Sequence, residues 1–171
     1  SDQRYWYRYH RLFADVLHTH LLSQEPEQIP TLHRRASQWY EQQGAVNDAI
    51  RHALSGQDFE HAADLIERAV PEMRRSRQEA TLLSWLKLLP RELFHRRPVL
   101  CVHYAGTLLL NGDLEGVEAQ LRDAERWLDM AGENRDRPDA LPEGVVVADP
   151  AEYRTLPGLI ATSSIASSRI R

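Results

Sequence analysis

Residues 33 to 66, HRRASQWYEQQGAVNDAIRHALSGQDFEHAADLI, constrain the fold more than any other stretch of this chain. They read as three short helices joined by two glycines. Trp39 and Tyr40 close the first helix, and Gly44 follows it. Ala49 and Ala53 lie one turn apart on the second, and Gly56 follows that. Asp58 opens the third. Small residues let two helix backbones approach closely, and a glycine past a helix end lets the chain reverse. A chain written this way stacks helical hairpins into an array, and such arrays bind partners far more often than they catalyse.

The flanking segments repeat the pattern. Tyr9, Leu12, Phe13, Val16 and Leu17 mark one apolar face of a helix over about 9–22,. Ser23 to Pro30 reads as a loop with two prolines. A helix from about Pro30 is expected to bury Leu32, Ala36, Trp39 and Tyr40. The next buries Val46, Ala49, Ile50 and Ala53. The fourth, capped by Asp58, buries Phe59, Ala62, Ala63, Ile66 and Val70,. A fifth helix carries Leu82, Leu83, Leu86 and Leu89 and stops at Pro90, and a short turn spans 91–97. A sixth runs from Pro98 to Leu110. Gly112 ends it, and Asp113 caps a seventh whose stripe is Val117, Leu121, Ala124, Leu128 and Ala131. Residues 132–150 lack periodicity and read as a long loop. An eighth helix from Ala151, interrupted by Pro157 and Gly158, leads into a polar tail.

Gly44 and Gly112 are 68 positions apart, twice the 34-residue period of tetratricopeptide repeats,. In that register Ala49 aligns with Val117 and Ala53 with Leu121. The middle unit centres on Gln78, where the expected glycine is absent. The fold expected is all-α, with antiparallel hairpins stacked as a tetratricopeptide-like right-handed superhelix. The competing reading is a non-repetitive bundle of hairpins.

Composition excludes several classes of function. The formal charge of −4 argues against gripping a phosphate backbone,. The one basic cluster, Arg74, Arg75 and Arg77, follows a helix expected to end near Val70 and complements its dipole,. No apolar run approaches the roughly 18 residues of a membrane span, and the first ten residues lack a signal-peptide core. One cysteine, Cys101, permits no internal disulfide, and its neighbours Tyr104, Ala105 and Leu108 make it a core residue,. A cytoplasmic setting is expected.

Catalytic constellations are missing. The eight histidines, at 10, 18, 20, 33, 52, 61, 95 and 103, include no pair with the spacing of a helical zinc site,. The single lysine, Lys87, belongs to no phosphate loop,. Asp48 and His52 are i, i+4 partners of the surface-pair kind. No catalytic, cofactor or metal residue is assigned. Trp39, Trp85 and Trp127 are expected to pack between helices rather than line a groove.

The phrases YRYHRLFADVL, LHRRASQWYEQQGAVNDAIRHALSGQDFEHAADLIE and LLSWLKLLPRELFHRRPVL, in that order, resemble the MalT-like large ATP-dependent transcriptional regulators with LuxR-type C-termini. The resemblance covers roughly residues 5–131. It implies a helix leaving a winged-helix region, with its linker, at 1–28. Tetratricopeptide-like repeats would follow at 29–131, the long loop at 132–150, and a partial helix with polar tail at 151–171. It also implies that the chain is a sensor and coupling segment of a longer protein. That protein would bind ATP and magnesium in one absent domain and DNA through another. Inducer or a regulatory protein would bind the superhelix, and the whole would self-associate. The positions carried here are architectural: Trp39, Tyr40, Gly44, Ala49, Ala53, Gly56, Asp58, Gly112 and Asp113. Two other readings stand beside this one: a free-standing tetratricopeptide-like scaffold and, more remotely, a small helical enzyme.

Overall fold

The computed structural model describes Val16, residues 25–133 and residues 144–170, with side chains described as far as Arg126 and again over 144–162. Among these residues every regular element is helical. A single 3-10 turn at Pro26–Gln28 leads into α1 (Ile29–Gln42). It is followed by α2 (Val46–Ser55), α3 (Phe59–Arg75), α4 (Glu79–Leu88), the one-turn α5 (Arg91–Phe94), α6 (Pro98–Leu110), α7 (Leu114–Glu133) and α8 (Pro150–Ile170). No helix among the described residues is long and apolar enough to cross a membrane. The helix expected over 9–22, with His10, His18 and His20, lies outside the described residues apart from Val16, which is helical.

Four turns share one geometry. In the first, the Ala45 N–H donates to the Tyr40 carbonyl at 2.9 Å and the Gly44 N–H to Glu41 at 3.0 Å. The same two bonds recur as Asp58 to Ala53 and Gln57 to Leu54, Gln78 to Met73 and Arg77 to Arg74, and Asp113 to Leu108 and Gly112 to Leu109. This is the Schellman termination, which needs one left-handed residue. Gly44 (φ 74°) and Gly112 (φ 78°) supply it as expected, but the other two turns place Gln57 (φ 54°) and Arg77 (φ 55°) there. Gly56, expected to reverse the chain, has φ −82°. Its role is close approach: a Cβ there would stand 3.0 Å from the His33 Cβ and 3.1 Å from the Pro30 carbonyl oxygen on α1. In each turn the residue after the left-handed one becomes the N-cap of the next helix, so its carbonyl accepts that helix's first bond.

α1 packs on α2, α2 on α3 and α3 on α4, while α6 touches α3, α4, α5, α7 and α8. The main core runs through Ala49, Ile50 and Ala53 of α2, Ala62, Ala63 and Ile66 of α3, Leu82 and Leu86 of α4, Val99 to Val102 of α6, and Leu156 and Ile160 of α8. A satellite core joins Ala105 and Leu108 to Val117 and Leu121. Leu128 and Ala131, expected on the same stripe, fall outside the described side chains.

Several expectations are corrected. α1 does not bury its stripe: Leu32 and Trp39 are each 41% exposed, Val46 on α2 is 36% exposed, and the fully enclosed α1 residue is Ser37. Among the described residues α1 packs chiefly on α2 and reaches α3 through Glu41, and Leu32 and Trp39 stay partly open. α3 runs through Pro71 to Arg75, and α8 through Pro157 and Gly158 without interruption. Both prolines are exposed, so each helix keeps its inward side packed by Val70 and Met73 or by Leu156 and Ile160,. Asp58 sits at the N-cap of α3 but makes no side-chain cap bond. Asp113 does cap, accepting the Gly116 N–H at 3.0 Å. Residues 144–149 are irregular, in keeping with the loop expected there, and two of their amides are tied down: Val146 N–H donates to the Arg96 carbonyl and Ala148 N–H to Glu67 Oε1, each at 2.8 Å.

Candidate functional site

The turns at 43–45 and 76–78 lie at the two ends of one groove. α2 begins on one side of it and the second half of α3 forms the other, enclosing about 690 Å³. Leu65, Ala69 and Met73 form an apolar floor, and exposed Val46 stands on the wall. The rim is charged and internally paired. Glu41 accepts from Arg68 at 2.8 Å, Asp48 from Arg51 at 2.7 Å and Glu72 from Arg75 at 2.8 Å. An apolar floor with a polar rim in this size range suits a ligand or a peptide side chain. A second cleft, about 440 Å³, opens between α4–α5 and α6–α7, lined by Lys87, Arg91, His95, Tyr104, Asp113 and Asp123 among others. Burial raises the Tyr104 phenol above its usual range, with Asp113 adding to the effect.

The architectural residues are placed as follows. Ala49 and Ala53 are fully buried, and the Ser37 hydroxyl donates to the Ala49 carbonyl at 2.8 Å, tying α1 to α2. Gly44 lines the groove, and Gly112 ends α6. Tyr40 is half-buried, edge-on to Trp39 at 4.9 Å and stacked on His52 at 5.2 Å. Trp85 is packed as expected, whereas Trp39 is 41% exposed. The Trp127 side chain lies outside the described residues.

Sequence spacing missed a histidine pair. His33 on α1 and His52 on α2 bring their Nδ1 atoms to 2.8 Å with ring centroids 5.1 Å apart. The rings therefore meet nearly end to end, and one N–H donates to the other's lone pair. A metal ion between them would need about 2 Å on each side. Desolvation, and then the neighbouring His33, hold His52 below the ordinary histidine value. Asp48, expected opposite His52, takes Arg51 instead. Among the described residues no group of three or more histidine, cysteine or acidic side chains could hold a metal. The Cys101 thiol is fully buried and donates to the Phe94 carbonyl, and burial pushes its pKa well above the ordinary thiol value.

A second missed cluster lies at the α3–α6 junction. Arg97, 2% exposed, donates to Asp64 at 2.6 Å and to Glu60 at 2.7 and 3.2 Å. Glu67, 1% exposed, stands 3.8 Å from the same guanidinium. The signal was present in the sequence: Glu60, Asp64 and Glu67 fall at i, i+4 and i+7, one polar stripe beside the apolar face of α3,.

No family model and no solved structure matches the chain. It is 33% identical over 111 residues to the serine/threonine-protein kinase PknK of Mycobacterium tuberculosis, covering 64% of this chain and 10% of that protein. It is 30% identical over 97 residues to the HTH-type transcriptional regulator MalT of Vibrio cholerae, covering 57% and 11%. The HTH-type transcriptional regulator AlkS of Ectopseudomonas oleovorans matches at 25% over 115 residues, covering 67% and 13%. MalT and AlkS are distant relatives of this chain. The chain spans 10 to 13% of the length of these curated relatives.

Proposed function

We propose that this chain is a sensor and coupling segment of a signal-responsive, ATP-dependent bacterial transcriptional regulator. The observation that carries the reading is its similarity to two differently named HTH-type regulators over about 100 residues. In this reading α1–α8 belong to a tetratricopeptide-like right-handed superhelix in the cytoplasm. A small-molecule inducer or a regulatory protein docks on it. The segment acts by binding rather than catalysis and carries no cofactor of its own. ATP and magnesium bind in a nucleotide-binding domain, and DNA is held by a C-terminal domain, both outside residues 1–171. Self-association of the whole protein completes the switch. The groove over Leu65, Ala69 and Met73 is the docking place that the geometry favours, because a ligand bridging α2 and α3 stabilises one relative setting of the two hairpins,.

The match to a serine/threonine-protein kinase favours a second reading, in which the same array is an input module attached to a different output. A free-standing scaffold remains the alternative from another class. The full coding sequence separates them. A phosphate-binding GxxxxGK[ST] motif upstream and a helix-turn-helix downstream support the regulator, and a kinase domain supports the second reading. A natural chain running from about Ser1 to Arg171 overturns both in favour of the scaffold. In the intact regulator, Val46→Glu in the groove wall should abolish induced reporter transcription while leaving the uninduced level unchanged. Full induction in that variant would exclude the groove.

A further inference from the structure

We propose that the cleft between α4–α5 and α6–α7 binds a small hydroxylated organic anion, a carboxylate or phosphate ester held by Lys87 and Arg91 and read by Gln120. The cleft encloses about 440 Å³, within the range of small-ligand pockets,. Leu86, Leu89, Phe94 and Leu108 give it an apolar side. The Phe94 and Tyr104 rings stack at 5.3 Å, so this part of the lining is packed in place. The cleft shares no lining residue with the groove between α2 and α3.

The sign of the ligand follows from which charges are already answered. Lys87, Arg91 and His95 line the α4–α5 side, and Asp113 and Asp123 belong to the α6–α7 side. Asp123 is paired with Arg126 and stands 3.8 Å from His95 Nδ1. Asp113 caps α7 by accepting the Gly116 N–H at 3.0 Å. Among the described residues the Lys87 and Arg91 side chains form no ion pair and no hydrogen bond. Set against Asp113, they leave one positive charge unanswered. An ammonium and a guanidinium lining one cleft can both donate charge-assisted bonds to a single oxyanion.

The hydroxyl follows from a missing donor. Gln120 on α7 lines the cleft, and its Oε1 is enclosed without a hydrogen-bond partner. Such an oxygen costs free energy, and native structures leave few of them. A ligand hydroxyl supplies the donor. The Tyr104 phenol complements it: burial raises its pKa, helped by Asp113 and opposed by Arg91, so it keeps its proton at neutral pH and can donate to the anion. The cleft thus offers donors to an oxyanion and an acceptor to a hydroxyl. It rests on its own residues and is independent of the regulator reading.

Calorimetric titration of the whole chain with two matched pairs tests the site: malate against succinate, and glycerol 3-phosphate against propyl phosphate. The second member of each pair lacks the hydroxyl groups. The hydroxylated member of at least one pair should bind saturably at millimolar concentration, about tenfold tighter than its partner. Which pair does so tells a carboxylate ligand from a phosphate ester. Lys87→Ala and Arg91→Ala, both at exposed positions, should each weaken that binding about tenfold,. Gln120→Leu should erase the preference for the hydroxyl while the anion still binds. No saturable binding of any of the four compounds overturns the proposal. Equal affinity within both pairs, or binding unchanged in Lys87→Ala and Arg91→Ala, overturns it equally. Should Gln120→Leu fail to fold, the NMR signal of the wild-type Gln120 side-chain amide decides. A shift with a hydroxylated probe that its partner does not produce supports the site, and the same response to both members of each pair sinks it.

Discussion

α1 and α6 have opposite relations between pattern and burial. α1 carries a clear amphipathic stripe yet encloses one residue, Ser37. α6, PVLCVHYAGTLLL, is apolar almost all round and buries nine, including the polar His103 and Thr107. The cause is position. Among the described residues α1 packs chiefly against α2, whereas α6 packs against α3, α4, α5, α7 and α8. Periodicity records which face of a helix can be buried, and the number of neighbours decides how much of it is.

Truncation should break or uphold this contrast most strongly. Leu100→Ala, at a fully buried α6 position, should cost about 2–5 kcal/mol in urea unfolding,. Leu32→Ala on α1 should stay within about 0.5 kcal/mol. Equal losses would mean that α1 is covered in solution. Overpacking comes next. Ala53→Leu in the closely packed first hairpin should lower stability by about 1–3 kcal/mol, and an unchanged melting temperature would refute the close approach. Two turns give the third test. Asp113→Ala should cost about 1 kcal/mol through its lost cap, while Asp58→Ala, with no cap bond to lose, should cost clearly less,. Arg77→Gly should raise stability by about 0.5–1 kcal/mol, because an L side chain in the left-handed region is strained,. The smallest effect is local. His52 is depressed in the fold, so native α1–α2 binds fewer protons than the unfolded chain. Its stability is complete above about 6.5 and declines as pH falls below that value,. Corrected for intrinsic exchange rates, protection of the α1 and α2 amides should be lower at pH 5 than at pH 7, with that of α6 unaffected.

The sequence made the helices legible wherever punctuation was local. Pro98 and Gly112 bounded α6 correctly, and the Asp113 cap followed from residue type and position. The predicted core of α2 and α3 was also right for Ala49, Ile50, Ala53, Ala62, Ala63, Ile66 and Val70. What escaped depended on distant partners. Trp39 was expected to be packed between helices and is 41% exposed. Pro157 was read as a break, but burial of Leu156 and Ile160 carries α8 through it. Glu67 and Ala148 are 81 positions apart, and no local pattern joins an acid on α3 to an amide in an apparently shapeless segment. The groove was equally hidden, because its two ends are turns belonging to different hairpins.

The four shared turns have a consequence for how such arrays diverge. Because two backbone hydrogen bonds define the connection, the residue at its centre is free to drift from glycine to glutamine or arginine at a modest energetic penalty. Successive hairpins can then keep the same pitch while their sequences lose every visible sign of common ancestry. A search keyed to glycine at a fixed interval would find Gly44 and Gly112 and pass over Gln57 and Arg77. Repeats of this kind are better counted by their turns than by their letters.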